Sequence, residues 1–254
     1  MRTLPLFAGV GSDVLLAILG HARPAKFNKG QMCLMQGEAA TRFYVILEGW
    51  AKTIKSTPDG KELVLHLLGR GDVLMETAVA GDMKCPANVM ATSKLRLLSI
   101  PSFVLREYLD ANHTMAVNMM LAAAAQAQNL VSQLEQLMLR DAPQRVGWLL
   151  LRFHLIAGRK SAKISLPFDK AVIAAYLGIK PETFSRALQI FRDKGFVVRN
   201  RTVTMPTSHA LCEYCTPELA QNCTRAATNE CPHLGFMKAL AACDVLDSRE
   251  KSRL

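Results

Sequence analysis

The sequence contains no uncharged apolar run of about 18 residues, the length that a membrane-spanning helix needs. Its most apolar stretch, Met115 to Ala127, is interrupted by Asn118 and Gln126. The N-terminus also lacks the basic segment and apolar run that mark a secretory signal peptide. These absences predict a cytoplasmic protein with no membrane partner.

The sequence also lacks a phosphate-binding loop, a nucleotide-binding glycine fingerprint and an obvious pair of catalytic acids. A Cys-x-x-Cys pair begins at Cys212, but it lacks the strand–helix–strand context of a thioredoxin-like motif. We therefore expect that the protein is not an enzyme. A thiol redox enzyme is the alternative from that class, and a turnover assay with dithiol substrates would reveal it.

Residues 170–201 have the pattern of two short helices followed by a small hairpin. The first helix, Ala171 to Leu177, stops at Gly178, which can adopt the positive φ of a tight turn. Pro181 is tolerated at the start of the second helix, which continues to about Lys194. Phe196 to Met205 then alternates around a basic turn. This order predicts a winged helix-turn-helix.

The second helix has one apolar and one polar face. Phe184 and Leu188 are spaced for burial, whereas Glu182, Ser185 and Arg186 lie three and four apart on the opposite face. Arg186 can bind guanine O6 and N7, Glu182 can accept from a cytosine amino group, and Ser185 can bind either base or phosphate. The alternative is a capped surface helix with a Glu–Arg ion pair.

The positive charge is concentrated in the same segment. Residues 140–205 hold 13 Lys and Arg against 4 Asp and Glu, whereas residues 1–139 hold 13 against 11 and residues 206–254 hold 5 against 6. Such a basic segment is typical of phosphate binding. The predicted partner is double-stranded DNA, and the predicted DNA-binding residues are Lys180, Glu182, Thr183, Ser185, Arg186, Arg199 and Arg201.

Short alternating runs separated by glycines fill the segment from Pro24 to Ile100. Tyr44 to Ile54, Leu63 to Leu67 and Leu95 to Ile100 are predicted strands. Many short strands with regular glycine turns indicate an antiparallel barrel or sandwich of jelly-roll type.

A long helix is predicted from about Thr114 to Leu139, which at 1.5 Å per residue would measure about 38 Å. Its apolar stripe predicts a helix that pairs two subunits into a homodimer, with packing on its own barrel as the alternative. Asp141 to Pro143 is the predicted hinge. The expected domains are therefore a sensor barrel (1–110), a dimerisation helix (111–141), a winged helix-turn-helix (142–206) and a cysteine-rich extension (207–254).

This α+β order of antiparallel jelly-roll barrel, long helix and winged helix-turn-helix resembles the CRP/FNR family of transcription regulators. The residues that carry the resemblance are Gly37-Glu38-Ala39, Tyr44, Gly49, Pro58-Asp59-Gly60-Lys61-Glu62, Gly71-Asp72, Glu76, Arg145-Val146 and Glu182-Thr183-Phe184-Ser185-Arg186. The last group is similar to the FNR and DNR-like branch, which implies palindromic sites with TTGAT half-sites and a response to nitric oxide. The resemblance also implies RNA polymerase as a partner, and the turn from Thr57 to Lys61 is a candidate contact.

The sensor barrel departs from the cyclic-AMP-binding members of the family. Those members have a glycine before the acid and an Arg-Ser-Ala run later, whereas this chain has Met75 before Glu76 and Cys85-Pro86-Ala87. Without the arginine a buried phosphate would be poorly compensated, so we expect no cyclic nucleotide. Haem or another small ligand is an alternative, with candidate haem ligands His21, Met32, Cys33, Met35 and His66.

The C-terminal extension carries four cysteines within 20 residues: Cys212, Cys215, Cys223 and Cys231. They are the predicted metal ligands, and a redox- or gas-sensitive 4Fe-4S cluster is favoured because cluster spacing is loose. Structural zinc, with His209 or His233 replacing one cysteine, and a tail of free or disulfide-bonded thiols are alternatives. Loss of a cluster to oxygen or nitric oxide would unfold the extension and shift DNA binding. The roles of Cys33, Cys85 and Cys243 stay open.

Overall fold

The computed structural model describes residues 4–56, 62–81, 83–156, 161–207, 209–216 and 219. No helix within these ranges is long and apolar enough to cross a membrane. The helices are α1 (Ser12–Gly20), α2 (Glu76–Ala80), α3 (Ser102–Ala111), α4 (His113–Leu139), α5 (Ala142–Ile156), α6 (Lys170–Tyr176) and α7 (Pro181–Asp193). The strands are β1 (Arg23–Phe27), β2 (Met32–Leu34), β3 (Arg42–Glu48), β4 (Ala51–Ser56), β5 (Glu62–Leu68), β6 (Val73–Leu74), β7 (Asn88–Ala91), β8 (Leu95–Pro101), β9 (Lys163–Ser165), β10 (Val197–Arg199) and β11 (Thr202–Thr204).

Residue contacts group the chain into two units, one of residues 1–134 with 170–178 and the other of residues 135–169 with 179–254. The first unit contains two four-stranded antiparallel sheets, ordered β1-β8-β3-β6 and β2-β7-β4-β5. In register, Tyr44 lies opposite Ser99, and Lys52 opposite Leu67. The predicted antiparallel jelly-roll fold is confirmed.

The predicted strand from Tyr44 to Ile54 is wrong as a single element, because it forms β3 and β4 with a turn between them. Gly49 has φ +88°, and a Cβ there would collide with the backbone carbonyl of Lys94. Only glycine fits so close an approach in the left-handed region, so the chain reverses here.

Helix α4 spans 27 residues and confirms the predicted long helix. Its N-terminal half packs on the barrel through Met115 and Met119, which are buried in the cluster that also holds Phe7 and Phe43. Asn118 Nδ2 donates to the carbonyls of residues 6 and 8, at 3.1 and 2.8 Å. The barrel therefore holds the start of the helix, while a long apolar stripe further along stays exposed.

The second unit begins inside α4, and a break between α4 and α5 follows. Asp141 and Gln144 form a reciprocal cap, because the Gln144 N–H donates to Asp141 Oδ1 at 2.8 Å and the Asp141 N–H donates to Gln144 Oε1 at 3.1 Å. Helix α5 therefore starts at Ala142, within the predicted hinge from Asp141 to Pro143. Pro143 lies in the first turn, where its missing N–H has no intrahelical partner to lose.

The predicted helix-turn-helix elements are present. The chain leaves α6, turns at Gly178 with φ +63°, and enters α7 at Pro181. The predicted hairpin is β10 and β11, with Asn200 at φ +49° in its turn, and β9 joins it as a third strand.

Candidate nucleic-acid interface and sensor sites

Helix α7 presents a polar face to solvent. Glu182, Ser185 and Arg186 are exposed, whereas Phe184 and Leu188 are each 1% exposed in the core of the unit. In the part of the chain that the structure describes, Glu182 and Arg186 do not pair with each other. The periodic apolar residues thus orient the three predicted base-reading side chains outward.

The remaining predicted DNA contacts lie at the edges of this face and in the wing. Lys180 occupies the N-cap position of α7 with extended backbone, and Thr183 is half-buried. Arg199 is exposed at the end of β10. These positions place two further cations, Lys180 and Arg199, on the surface of the DNA-binding unit.

Arg201 already has partners within the protein. Its Nε donates to the Leu166 carbonyl at 3.1 Å and its NH2 to the Pro167 carbonyl at 2.6 Å, while NH1 lies 3.3 Å from Asp169 Oδ1. The side chain is still half-exposed. Arg201 therefore ties the wing to the segment before α6, a structural role that the sequence pattern does not reveal.

The candidate ligand site of the barrel is centred on Glu76. This residue is 5% exposed in the first turn of α2, and its Oε1 accepts a hydrogen bond from Gln126 Nε2 of α4 at 2.5 Å. Burial, with a smaller contribution from Asp72, raises the pKa of Glu76 to about 7. The acid is therefore protonated for a large fraction of the time near neutral pH.

Met75, directly before Glu76, adopts φ +71° and ψ 2°. This is the left-handed region, which glycine enters without cost and an L side chain enters at about 1–2 kcal/mol. Met75 therefore adopts, at the position where the resemblance implies a glycine, a conformation that suits glycine.

Cys85 replaces the arginine expected in cyclic-AMP-binding members. It is 4% exposed, and its N–H and C=O bond the Glu38 carbonyl and the Gly37 N–H at 2.8 and 2.9 Å. Burial raises the pKa of its thiol. A neutral thiol cannot compensate a phosphate charge as an arginine would.

The candidate haem ligands lie on three parts of the first unit: Met32 and Cys33 in β2 with Met35 directly after it, His21 after α1, and His66 in β5. His21 is exposed beside the edge of Phe103, and Met32 and Met35 are 39% and 50% exposed. Cys33 packs into the apolar core, and burial raises the pKa of its thiol to about 11. His66 lies opposite Thr53 in the β4–β5 ladder.

The first predicted cysteine pair lies in a tight turn. Cys212–Tyr214 forms a single 3-10 turn, and the Cys215 N–H donates to the Cys212 carbonyl at 3.1 Å. Side chains three residues apart eclipse in such a turn, so the Cβ atoms of the two cysteines project from the same side of it. They are half-buried and not joined by a disulfide.

The other predicted ligands, Cys223 and Cys231, lie outside the described residues, as do Cys243, His233 and the turn from Thr57 to Lys61. Among the residues that are described, no group of three or more His, Cys, Asp or Glu side chains could hold a metal ion.

Two sites were missed by reasoning from the sequence. One is the hydrogen bond between Gln126 and Glu76, and the other is the packing of Tyr214 against Gly147 of α5. An isolated glycine inside a helical pattern often has a packing reason, so Gly147 was the available signal for the second. No local signal links Gln126 to Glu76.

Comparison with known families agrees with this architecture. Residues 24–112 match the cyclic nucleotide-binding domain, and residues 144–214 match the Crp-like helix-turn-helix domain. The CRP-like cAMP-activated global transcriptional regulator of Mycobacterium tuberculosis is 23% identical over 210 residues, covering 81% of this chain and 94% of that protein. The nitrogen fixation regulation protein FixK of Azorhizobium caulinodans is 25% identical over 199 residues, covering 76% and 75%.

Solved structures show the same fold. A regulatory protein from Silicibacter pomeroyi DSS-3 superimposes with a TM-score of 0.62 at 27% identity, covering 84% of this chain and 95% of the other. FixK2 from Bradyrhizobium japonicum gives a TM-score of 0.68 at 19% identity, covering 77% and 98%.

The jelly-roll domain, the long helix and the exposed face of α7 together define a transcription regulator with a DNA-binding helix-turn-helix. The chain belongs to the CRP/FNR family. The family and the fold predicted from the sequence are thereby confirmed.

Proposed function

We propose that this regulator is a cytoplasmic homodimer that binds palindromic DNA with TTGAT half-sites, and that an iron–sulfur cluster in the C-terminal extension controls it. In this proposal it belongs to the FNR and DNR-like branch, responds to redox state or nitric oxide, and contacts RNA polymerase at its promoters.

The observation that carries the DNA part is the solvent-exposed set Glu182, Ser185 and Arg186 on α7. An arginine fork, a carboxylate and a hydroxyl on one helix face can read successive base edges in the major groove. The spacing of Glu182, Ser185 and Arg186, which resembles that of the FNR branch, supports the choice of branch.

The homodimer is supported by the exposed apolar stripe of α4. Met120, Leu121 and Leu134 are 72%, 62% and 57% exposed, and further apolar side chains toward the C-terminal end are exposed as well. So long an apolar face on one helix is covered when a second copy pairs with it, and the small residues 122–125 allow close approach. A dimer also matches a palindromic site.

The cluster is supported by the chemistry of the donors. Two thiols on one side of a single turn are suitable ligands for a soft metal, and in the proposal Cys223 and Cys231 complete the set. A cluster at this place supplies sensitivity to oxygen and nitric oxide, and its loss would free the segment that follows the wing.

Cyclic AMP is not part of the proposal, although a relative is cAMP-activated. Cys85 offers no positive charge, and Glu76 already accepts a hydrogen bond from Gln126. Haem or another ligand of the barrel, with zinc or free thiols in the extension, is the alternative.

The experiment is an absorption spectrum from about 300 to 700 nm on protein purified without oxygen, with iron, sulfide and zinc assays on the same sample. A broad band near 400 nm that air bleaches, with iron and sulfide, is expected. A sharp Soret band would move the sensor to the barrel, and a colourless protein with zinc would make the extension structural.

The DNA part is tested separately by fluorescence anisotropy at fixed salt. A duplex with two TTGAT half-sites should bind at least about 10³-fold more tightly than a scrambled duplex. Equal affinity for both duplexes would overturn the proposed sequence specificity, whatever the spectrum shows.

A further inference from the structure

The segment that carries the cysteine pair is anchored to the DNA-binding unit by Tyr214. This side chain is 6% exposed and directly follows Cys212 and Glu213 in the same turn. A Cβ added to Gly147 of α5 would lie 2.5 Å from two carbons of the Tyr214 ring. The ring therefore lies against the backbone of α5 in a notch that only glycine leaves open.

The Tyr214 ring also contacts the end of α7. The Tyr214 and Phe191 ring centroids are 5.7 Å apart, and Phe191 is fully buried in the last turn of the helix. Phe191 in turn meets Phe196 edge-on at 5.1 Å, and Phe196 directly precedes wing strand β10. A row of three aromatic rings thus connects the cysteine turn to both the DNA-reading helix and the wing.

Polar contacts reinforce the same junction. Lys194, which caps the C-terminal end of α7, donates to the Tyr214 hydroxyl at 3.1 Å and to Glu213 Oε1 at 3.0 Å. Both acceptors belong to the turn between Cys212 and Cys215. One short turn therefore carries both the thiol pair and the two side chains that contact the end of the DNA-reading helix.

We infer that Tyr214 is a positioning residue, through which the state of the Cys212–Cys215 pair changes the placement of α7 and hence specific DNA binding. The inference rests on the proposed function, and it adds the contacts by which the cysteine pair would affect DNA binding. A metal ligated by the pair rearranges the turn, and because the turn holds Tyr214, the ring shifts in its notch. The packing of α5 against α7 then changes with it.

A double-mutant cycle tests this inference on the full chain without oxygen. Cys212→Ser alters the thiol pair, and Gly147→Ala fills the notch; DNA binding is measured by anisotropy on the specific duplex. We expect Cys212→Ser to change the affinity at least about fivefold when residue 147 is glycine, and to have no effect in the Gly147→Ala background.

Matched variants separate positioning from mere folding. Tyr214→Phe keeps the ring, so Cys212→Ser should still change the affinity in that background. Tyr214→Leu removes the ring and should abolish this change. If Gly147→Ala does not fold, Tyr214→Leu takes its place in the cycle. Gly20→Ala adds a methyl group to a helical glycine with nothing within 4 Å and should preserve the response. Circular dichroism and affinity for a scrambled duplex confirm that each variant is folded.

The outcomes distinguish this inference from the proposed function. If Cys212→Ser changes specific binding equally in the Gly147 and Gly147→Ala backgrounds, the cysteines regulate by another route and the role of Tyr214 is overturned. If Cys212→Ser changes nothing in either background, the cysteine sensor itself is overturned and the inference falls with it.

Discussion

Two glutamates stand in the first turns of two helices, and their surroundings differ. Glu182 of α7 is exposed to solvent beside Ser185 and Arg186. Glu76 of α2 is buried and accepts a hydrogen bond from Gln126 of α4. The acid of the DNA-binding helix is thus available to an external partner, whereas the acid of the barrel already has an internal one.

The two acids also differ in the residues that accompany them. Met75, directly before Glu76, has left-handed backbone, and the position at which the family resemblance implies an arginine holds the buried thiol of Cys85. Around Glu182, the helix is formed and the predicted base-reading side chains Ser185 and Arg186 are exposed. The match to a cyclic nucleotide-binding domain therefore supports the fold around Glu76 but not the ligand. The match to a helix-turn-helix domain supports both the fold around α7 and DNA as its ligand.

The largest expected effect concerns the buried acid. Because its pKa is raised from 4.5 to about 7, folded Glu76 keeps a proton that the unfolded chain loses, so stability falls as pH rises through this interval and levels off above it. At pH 8 the ionisation of Glu76 should cost roughly 3 kcal/mol of the free energy of unfolding. Glu76→Gln cannot ionise, so this variant should not show that cost. Urea unfolding of the barrel from pH 5 to 8, followed by Trp50 fluorescence in a Trp148→Phe background, measures it.

Glu48→Gln is the matched control, since Glu48 is largely exposed and pairs with Arg96 at the surface. This control should keep the wild-type pH dependence. A Glu76→Gln profile that falls as steeply as wild type would show that another group titrates in this interval.

The second effect concerns the DNA-reading face. Arg186→Ala should lose about 1–3 kcal/mol of discrimination at one guanine, because a bidentate contact to O6 and N7 is removed. Competition binding with duplexes changed at single positions measures it. Arg192→Ala, on the same helix but hydrogen-bonded to Gln189, should leave base preference unchanged. Equal loss on specific and scrambled DNA from Arg186→Ala would assign that arginine to phosphate binding.

A third, smaller effect tests whether the barrel keeps a strained turn. Met75→Gly and Met75→Ala both remove the thioether, but only alanine keeps a Cβ at φ +71°. The glycine variant should therefore be the more stable of the two by about 1 kcal/mol. Chemical unfolding of both variants, monitored as for Glu76, gives the difference. An alanine variant of equal or greater stability would mean that the turn relaxes.

The sequence was most informative where structure depends on near neighbours. The apolar spacing of Phe184 and Leu188, the turn at Gly178 and the basic hairpin are local patterns, and each was predicted. The turn at Gly49 that separates β3 from β4 depends on the carbonyl of Lys94, far along the chain. Periodicity alone therefore predicted one strand in place of β3 and β4.

The same physical limit applies to the candidate sites. Gln126 meets Glu76 from 50 residues away, and Tyr214 reaches Gly147 from the other end of the DNA-binding unit. Such pairs are set by packing between elements, and a single sequence carries no periodic signal for them. The outward face of α7 needed no distant partner, which is why its residues could be named in advance.

The smallest expected effect compares two arginines of the wing. Arg199 is exposed, whereas Arg201 bonds the carbonyls of Leu166 and Pro167. If each also binds a phosphate, Arg199→Ala and Arg201→Ala should each reduce the slope of log affinity against log salt by about 1, on specific and scrambled duplexes alike. Only Arg201→Ala should also lower the melting temperature, because it leaves two carbonyls without their donor. Salt titrations and thermal unfolding of the two variants make the comparison, and an unchanged salt slope in Arg201→Ala would show that its internal contacts are its whole role.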